Sequence, residues 1–190
     1  MARALLLIDI QNDFVPGGSL AVPKGDEVVP VANQWIEQFA RNNDLVIATQ
    51  DWHPPNHSSF ISQNPKEGIW PDHCVQNTHG AEFVADLNVS AIQRVVRKGR
   101  DPRIDSYSGF FDNDHEKQTE LAEVLRVAGV NSVYILGLAT DYCVKFTALD
   151  ARQLGLATHF VREGCRAINI RPTDEQQAIE DMRGAGVIIE

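Results

Sequence analysis

Cys143 stands at the start of an expected helix, in the run GLATDYCVKF that spans residues 137–146. A thiol in that place can be a small core residue, a metal ligand or a nucleophile. Thr140 or Asp141 is positioned to cap the helix, which puts Cys143 in its first turn. Free N–H groups and the helix dipole favour the thiolate there. A lone cysteine is more often simply buried, so its partners must decide. Asp9 ends an apolar run in IDIQNDF. A carboxylate at the tip of a buried strand is desolvated, which raises its pKa towards that of a usable base. It can equally be a turn residue that accepts backbone N–H bonds. Asp13 reads as a capping or loop residue. Lys98 closes an expected strand in VVRKG, where it can draw a carboxylate and a thiol towards their charged forms. Alone, between Arg97 and Arg100, it reads only as a solubilising strand end.

The stretch QDWHPPNHSSF brings Asp51, His53 and His57 within seven residues, and WPDHCVQNTHGAEF adds His73 and His79. One carboxylate with several imidazoles suits zinc, manganese or iron, with positions left open for chemistry. Without any metal, Pro54 and Pro55 would still give a stiff loop. Cys74 offers a further donor, although its neighbours favour a place in the loop core. Phe14, Trp70 and Tyr107 occupy the same strand-end loops and can wall a pocket for a flat ring. Taken singly, each is more often local packing.

These groups need a scaffold that brings distant strand ends together. The uniformly apolar run Ala4–Ile8 predicts a strand buried on both faces, and Asp44–Gln50, Arg94–Arg97, Val133–Leu138, Ala157–Val161 and Val187–Ile189 read as further strands. Helical spacing is expected over Asp26–Asn43, Glu116–Ala128 and Asp141–Leu154. Thr173 to Gln176 matches a capping box and predicts a last helix to about Arg183. Strands alternating with helices make a parallel sheet covered on both faces. Asp51–Gly80 and Gly99–Asp114 are long irregular loops, of the kind that is usually functional or disordered. Asp9, Asp51, Lys98 and the approach to Cys143 all fall at carboxyl ends of strands, where ligands bind in open α/β sheets.

The 190 residues are expected to form a single domain, 1–190. A net charge of −9 argues against nucleic acid and anionic membrane as partners. Three scattered cysteines without a CxxC pair suit a reducing, cytoplasmic setting. No segment approaches membrane-spanning length.

The set LLLIDIQNDFVPGG, ATQDWHPPNHSSF, WPDHCVQNTHGAEF, VVRKG and GLATDYCV, in that order, resembles the nicotinamidase/pyrazinamidase branch of the isochorismatase-like cysteine hydrolases. The resemblance runs from Leu5 to about Gly164. It implies a three-layer αβα sandwich of Rossmann-like topology with a six-stranded, mostly parallel sheet. It further implies Asp9, Lys98 and Cys143 as a catalytic triad, and the backbone N–H groups of Ala139 and Cys143 as an oxyanion hole. Asp51, His53 and His73 would ligate one divalent metal, with zinc expected ahead of iron or manganese; His57 matches a ligand found in only some members. Phe14, Leu20, Trp70 and Tyr107 would line the ring pocket. The peptide between Ala139 and Thr140 is typically cis in the family. Tyr142 departs from relatives that carry histidine there and is expected to tune the pocket.

The implied activity is hydrolysis of nicotinamide to nicotinate and ammonia through a cysteine thioester, with pyrazinamide as a second substrate and NAD salvage as a setting. The metal would bind the ring nitrogen and orient the substrate. Self-association stays open. The rival reading of a metal-independent carbamoyl or ureido amidohydrolase is disfavoured by the Asp51/His53/His73 set, and vinyl-ether hydrolysis by Cys143. A dinucleotide-binding module would need a GxGxxG after the first strand, which this chain lacks.

Overall fold

The computed structural model describes residues 2–190. Six strands, β1 (Ala2–Ile8), β2 (Leu45–Asp51), β3 (Arg94–Lys98), β4 (Val130–Leu138), β5 (Ala157–Arg166) and β6 (Ile188–Ile189), form one sheet in the order β3-β2-β1-β4-β5-β6. Every pairing is parallel, where the sequence led us to expect a mostly parallel sheet. Consecutive residues Ala4–Ile8 of β1 are fully buried, as a central strand covered on both faces requires. The helices are α1 (Val28–Arg41), α2 (Leu121–Val127), α3 (Lys145–Gln153) and α4 (Asp174–Gly184). Helix α1 packs across β1, β2, β4 and β5 through Val28, Ala32, Ile36 and Phe39, while α3 and α4 pack on each other and α3 on β5. Among the described residues, no helix is long and apolar enough to cross a membrane.

Strand order reverses between β1 and β4, and crevices for ligands open at such switch points, beyond the carboxyl ends of the strands. Gly137 permits the close approach that this junction needs. Its φ is +131°, and a Cβ there would lie 2.1 Å from the carbonyl oxygen of Ile8.

Three local expectations are revised. Helix α2 begins at Leu121 rather than Glu116, because Phe111 bridges Gln118 and the Thr119 hydroxyl accepts the Leu121 N–H at 3.1 Å. Strand β5 runs on to Arg166 through a register shift that pairs Gly137 with Cys165. Thr173 makes no side-chain cap to α4; Asn169 Oδ1 instead accepts the Glu175 N–H at 2.9 Å.

Candidate active site

Sheet register alone brings two of the charged groups together. Asp51 and Lys98 are Cα partners at the last rung of the β2–β3 ladder, and neighbouring parallel strands run only about 4.8 Å apart. Lys98 Nζ donates to Asp51 Oδ1 at 2.5 Å and to the Ser106 carbonyl at 2.8 Å. It lies 2.9 Å from Asp9 Oδ2 and donates to Cys143 Sγ at 3.4 Å. Asp9 leaves the end of β1 with φ +48°, a left-handed conformation that aspartate tolerates better than most residues. Its other oxygen, Oδ1, accepts the Thr49 hydroxyl at 2.6 Å. Asp9, Asp51 and Cys143 place donor atoms within 4.8 Å of one another, but the Lys98 ammonium already occupies the place of a cation among them.

Cys143 enters on a widened turn, Thr140–Val144, in which the Val144 N–H reaches back five residues to the Ala139 carbonyl at 3.1 Å. Neither Thr140 nor Asp141 caps that turn. The Asp141 carboxylate instead accepts the N–H groups of Ile168 and Asn169 at 3.0 and 2.8 Å, so it is committed to the far side of the cleft. Burial pushes the Cys143 thiol well above its ordinary pKa, Lys98 opposing and the carboxylates reinforcing the shift. Burial thus works against the thiolate that a helix start would favour. Burial also raises the Asp9 carboxyl, against the pull of Lys98, which makes it the better proton acceptor of the two acids. Burial would raise Asp51 too, yet Lys98 and His53 hold it well below the usual carboxylate range. The cis peptide of this region joins Leu138 to Ala139, one residue earlier than the family pattern led us to expect.

Beyond Asp51 lies the histidine group. Asp51, His53 and His73 each offer a donor atom within 4.8 Å of the others. His53 Nδ1 faces the Gly99 carbonyl at 2.9 Å and His73 Nδ1 the Pro71 carbonyl at 2.8 Å. A proton on each Nδ1 leaves Nε2 with its lone pair free, the arrangement in which imidazole ligates metals. Among the described residues, His53 Nε2 and His57 Nε2 are buried with no hydrogen-bond partner, a costly state unless something occupies the space between them. Buried, partnerless imidazole nitrogens beside a carboxylate fit a divalent cation. His57 lies beside His53, ring centroids 4.4 Å apart, but groups with His53 and Asp105 rather than with Asp51 and His73. His79 takes no part, being exposed and paired with Glu82 at 3.1 Å. Cys74 is buried in the loop, 3.9 Å from the Gly80 carbonyl, as its neighbours suggested. Asp13 is likewise a loop tie, accepting the Cys74 N–H at 2.7 Å.

Between these two groups is a narrow cavity walled by Phe14, Leu20, Trp70 and Tyr107, the four residues expected of a ring pocket, with Asp51, His73 and Cys143 reaching into it. Asp105, Ala139, Tyr142 and Ile168 also line it. Trp70 Nε1 donates to the Tyr107 hydroxyl at 3.1 Å, and Tyr142 meets both rings edge-on. Sequence reasoning missed Ile168, Thr49 and Asp105; the last lies within the Gly99–Asp114 loop that was singled out, yet has no donor beside it in the chain to mark it.

The isochorismatase domain family matches residues 3–190. A nicotinamidase of Escherichia coli is 48% identical, covering 98% of this chain and 93% of that protein. An Acinetobacter nicotinamidase/pyrazinamidase structure superposes with a TM-score of 0.93 at 40% identity, covering 98% of this chain and 94% of that one. A Pyrococcus horikoshii pyrazinamidase, solved in complex with zinc, superposes with a TM-score of 0.89 at 44% identity over 100% of this chain and 99% of its own. With thiol, carboxylate and ammonium converging on the switch point of the same sheet, and with matches along nearly the whole length, this chain belongs to the isochorismatase domain family.

Proposed function

We propose that the chain hydrolyses nicotinamide to nicotinate and ammonia, and pyrazinamide in the same manner, as a step in pyridine nucleotide salvage. The observation that carries the reading is the contact of Cys143 Sγ and Asp9 with one buried ammonium at the foot of an aromatic cavity. On this reading Phe14, Leu20, Trp70 and Tyr107 flank a flat heteroaromatic ring whose carboxamide is turned towards Cys143.

Asp9 takes the thiol proton as Sγ bonds to the amide carbon and the carbonyl electrons move onto oxygen. Lys98 offsets the negative charge shared by Asp9, Asp51 and sulfur through that step. The N–H groups of Ala139 and Cys143 hold the oxyanion, donors fixed before the charge develops and therefore effective. Collapse breaks the C–N bond, and Asp9 returns its proton to the nitrogen, which leaves as ammonia. The thioester is then attacked by water that gives a proton to Asp9. A second collapse breaks the C–S bond, frees the acid and lets Asp9 reprotonate the sulfur.

Asp51, His53 and His73, with His57 beside them, would hold a divalent metal, zinc first, whose Lewis acidity supplies an anchor for a ring nitrogen. Ring orientation by the aromatic wall presents the carboxamide carbon to sulfur, and the same wall excludes bulk water.

The test is ammonia release from nicotinamide by wild type, by Cys143→Ala and by chelator-treated protein. Wild type turns over, Cys143→Ala loses on the order of 10³-fold or more, and removal of metal lowers turnover until zinc is restored. Turnover persisting in Cys143→Ala would sink the thioester. No turnover by zinc-supplied wild type would sink the nicotinamide reading.

A further inference from the structure

The histidine group holds more donors than the Asp51/His53/His73 trio needs. His53, His57 and Asp105 form a second trio whose donor atoms also lie within 4.8 Å of one another. His53 belongs to both trios, and with Nδ1 facing the Gly99 carbonyl it has one nitrogen to give, Nε2. That single lone pair binds a single ion. The two trios are therefore two sides of one centre.

Asp105 is placed for such a role. Its Oδ1 lies 4.0 Å from His53 Nε2, its side chain is 12% exposed, and it lines the same cavity as Asp51 and His73. Its carboxylate accepts one hydrogen bond, from the adjacent Ser106 N–H at 2.7 Å to Oδ1. Its backbone is pinned separately, through the Asn113 N–H donating to its carbonyl at 2.8 Å. Opposite it, His53 Nε2 and His57 Nε2 are fully buried without partners.

Charge balance makes the same point independently. A divalent cation in a buried site requires compensating anions, and neutral imidazoles supply none. Asp51 is the carboxylate of the first trio, but its Oδ1 is engaged by the Lys98 ammonium at 2.5 Å. Asp9 is engaged by the same ammonium. Among the described residues, Asp105 is the nearby carboxylate that no lysine or arginine pairs with: Lys98 bridges Asp9 and Asp51, His53 Nε2 also lies 3.6 Å from Asp51, and Asp105 has only the imidazoles of His53 and His57 beside it.

We infer that Asp105 is an anionic donor of the metal centre, reaching the ion on the His57 side and supplying negative charge that Asp51 shares with Lys98. The inference rests on the metal centre of the proposed function and adds to it a residue that no pattern of neighbouring donors marks in the sequence.

The experiment measures Zn²⁺ affinity of metal-free protein by competition with a chromophoric chelator, for wild type, Asp105→Asn and Asp105→Glu. The asparagine keeps an acceptor for the Ser106 N–H while removing the charge. The expected result is a loss of affinity for Asp105→Asn on the order of 10- to 100-fold, with substantial recovery in Asp105→Glu. The visible spectrum of the Co²⁺-loaded protein is expected to change in Asp105→Asn even at saturating metal, since the ion's surroundings change and not only its occupancy. Asp105→Asn binding Zn²⁺ within twofold of wild type, with an unaltered Co²⁺ spectrum, would overturn the role of Asp105 and leave the Asp51/His53/His73 centre standing. Wild type that binds neither ion would overturn the centre itself and Asp105 with it. Unfolding of the metal-free Asp105→Asn protein at the wild-type temperature separates lost metal from lost fold. If that variant unfolds early, the Co²⁺ spectrum of Asp105→Ser, which takes the carboxylate away from the ion, decides: an altered spectrum supports direct coordination, and one identical to wild type overturns it.

Discussion

Asp9, Asp51 and Lys98 leave the ends of three adjacent parallel strands, whereas His53, His57, His73 and Asp105 sit on loops with no ladder behind them. The first group inherits its spacing from the sheet. Register pairs Asp51 with Lys98 directly, and the Ile8–Gly137 pairing brings Asp9 beside the start of the Cys143 turn. The second group has only isolated ties: a single bridge to Val75 fixes the His53 backbone, and the side chains are held by one bond each, His53 by the Gly99 carbonyl, His73 by the Pro71 carbonyl, Asp105 by the Ser106 N–H. Gln11 ties the strand tip to Ala81, in the long connection between β2 and β3. Its amide accepts the Asp51 N–H at 2.8 Å and donates to the carbonyls of Asp51 and Ala81, both at 2.9 Å, continuing the sheet where the strands themselves have parted. Strand-tip geometry is thus fixed by many cooperative bonds and loop geometry by few, so single substitutions should act on the two regions in different ways.

The largest effect is expected at the strand tips, from charge rather than shape. Lys98→Met keeps most of the buried stem but leaves Asp9 and Asp51 facing each other without their shared cation. Removing one partner of a buried ion pair typically costs on the order of 3–5 kcal/mol, so the urea midpoint should fall sharply. Ammonia release should fall on the order of 10²- to 10⁴-fold, measured on whatever fraction remains folded. A variant that unfolds as wild type does and retains turnover would mean that Lys98 merely fills space, and the electrostatic account of the strand tips would fail.

The same contrast governs what the sequence discloses. Apolar runs ending at Asp9, Gln50 and Arg97 mark strand ends, and residues at strand ends of a parallel sheet converge whatever lies between them. The meeting of Asp9, Asp51 and Lys98 at strand ends was therefore legible before any fold was known, whereas their roles followed only from the family resemblance. Thr49 was not, because a β-branched residue inside a strand is ordinary, and only the register shows its hydroxyl donating to Asp9. Asp105 was not, because its meeting with His53, 52 positions earlier in number (105 against 53), depends on how the loop after β3 folds back. The capping expected of Thr140 or Asp141 failed for a similar reason. Local spacing favours a cap, but two N–H groups of the loop after β5 claim the Asp141 carboxylate. Apolar periodicity likewise carried α2 too far towards its N-terminus, since it cannot register the Thr119 hydroxyl that sets the true start.

A smaller and more selective effect is expected at the junction of the two regions. Gly99 has φ +64°, and a Cβ there would lie 2.4 Å from His53 Cε1. Gly99→Ala is therefore expected to push the imidazole off its carbonyl and to weaken Zn²⁺ on the order of 10- to 100-fold in a chelator competition. Lys98 is the preceding residue, but its ladder pairing and four contacts hold it in place. The rate of Cys143 alkylation by iodoacetamide in metal-free protein should therefore stay within about twofold of wild type, the limit we set on an undisturbed thiol. Equal damage to metal affinity and thiol reactivity would show that the two regions are one mechanical unit.

The smallest effect tests whether the loops depend on their side-chain ties or on the rings themselves. Asp13 accepts the Ser19 N–H at 3.2 Å and the Cys74 N–H at 2.7 Å, joining the loop after β1 to the segment that carries His73. Asp13→Ala removes both bonds at a partly solvated place, where water can take over in part, so a cost of about 1–2 kcal/mol is expected. In a chain of this size each kcal/mol lowers the melting temperature by roughly 2–4 °C. Zn²⁺ affinity should fall only a few-fold, on the order of the same 1 kcal/mol, because His73 keeps its own bond to the Pro71 carbonyl. Asp13→Asn, which retains one acceptor oxygen, should recover part of the melting temperature. Loss of metal binding in Asp13→Ala out of proportion to the thermal shift would place control of His73 in the loop backbone rather than in the ring's hydrogen bond, and the division between ladder-held and ring-held groups would have to be redrawn.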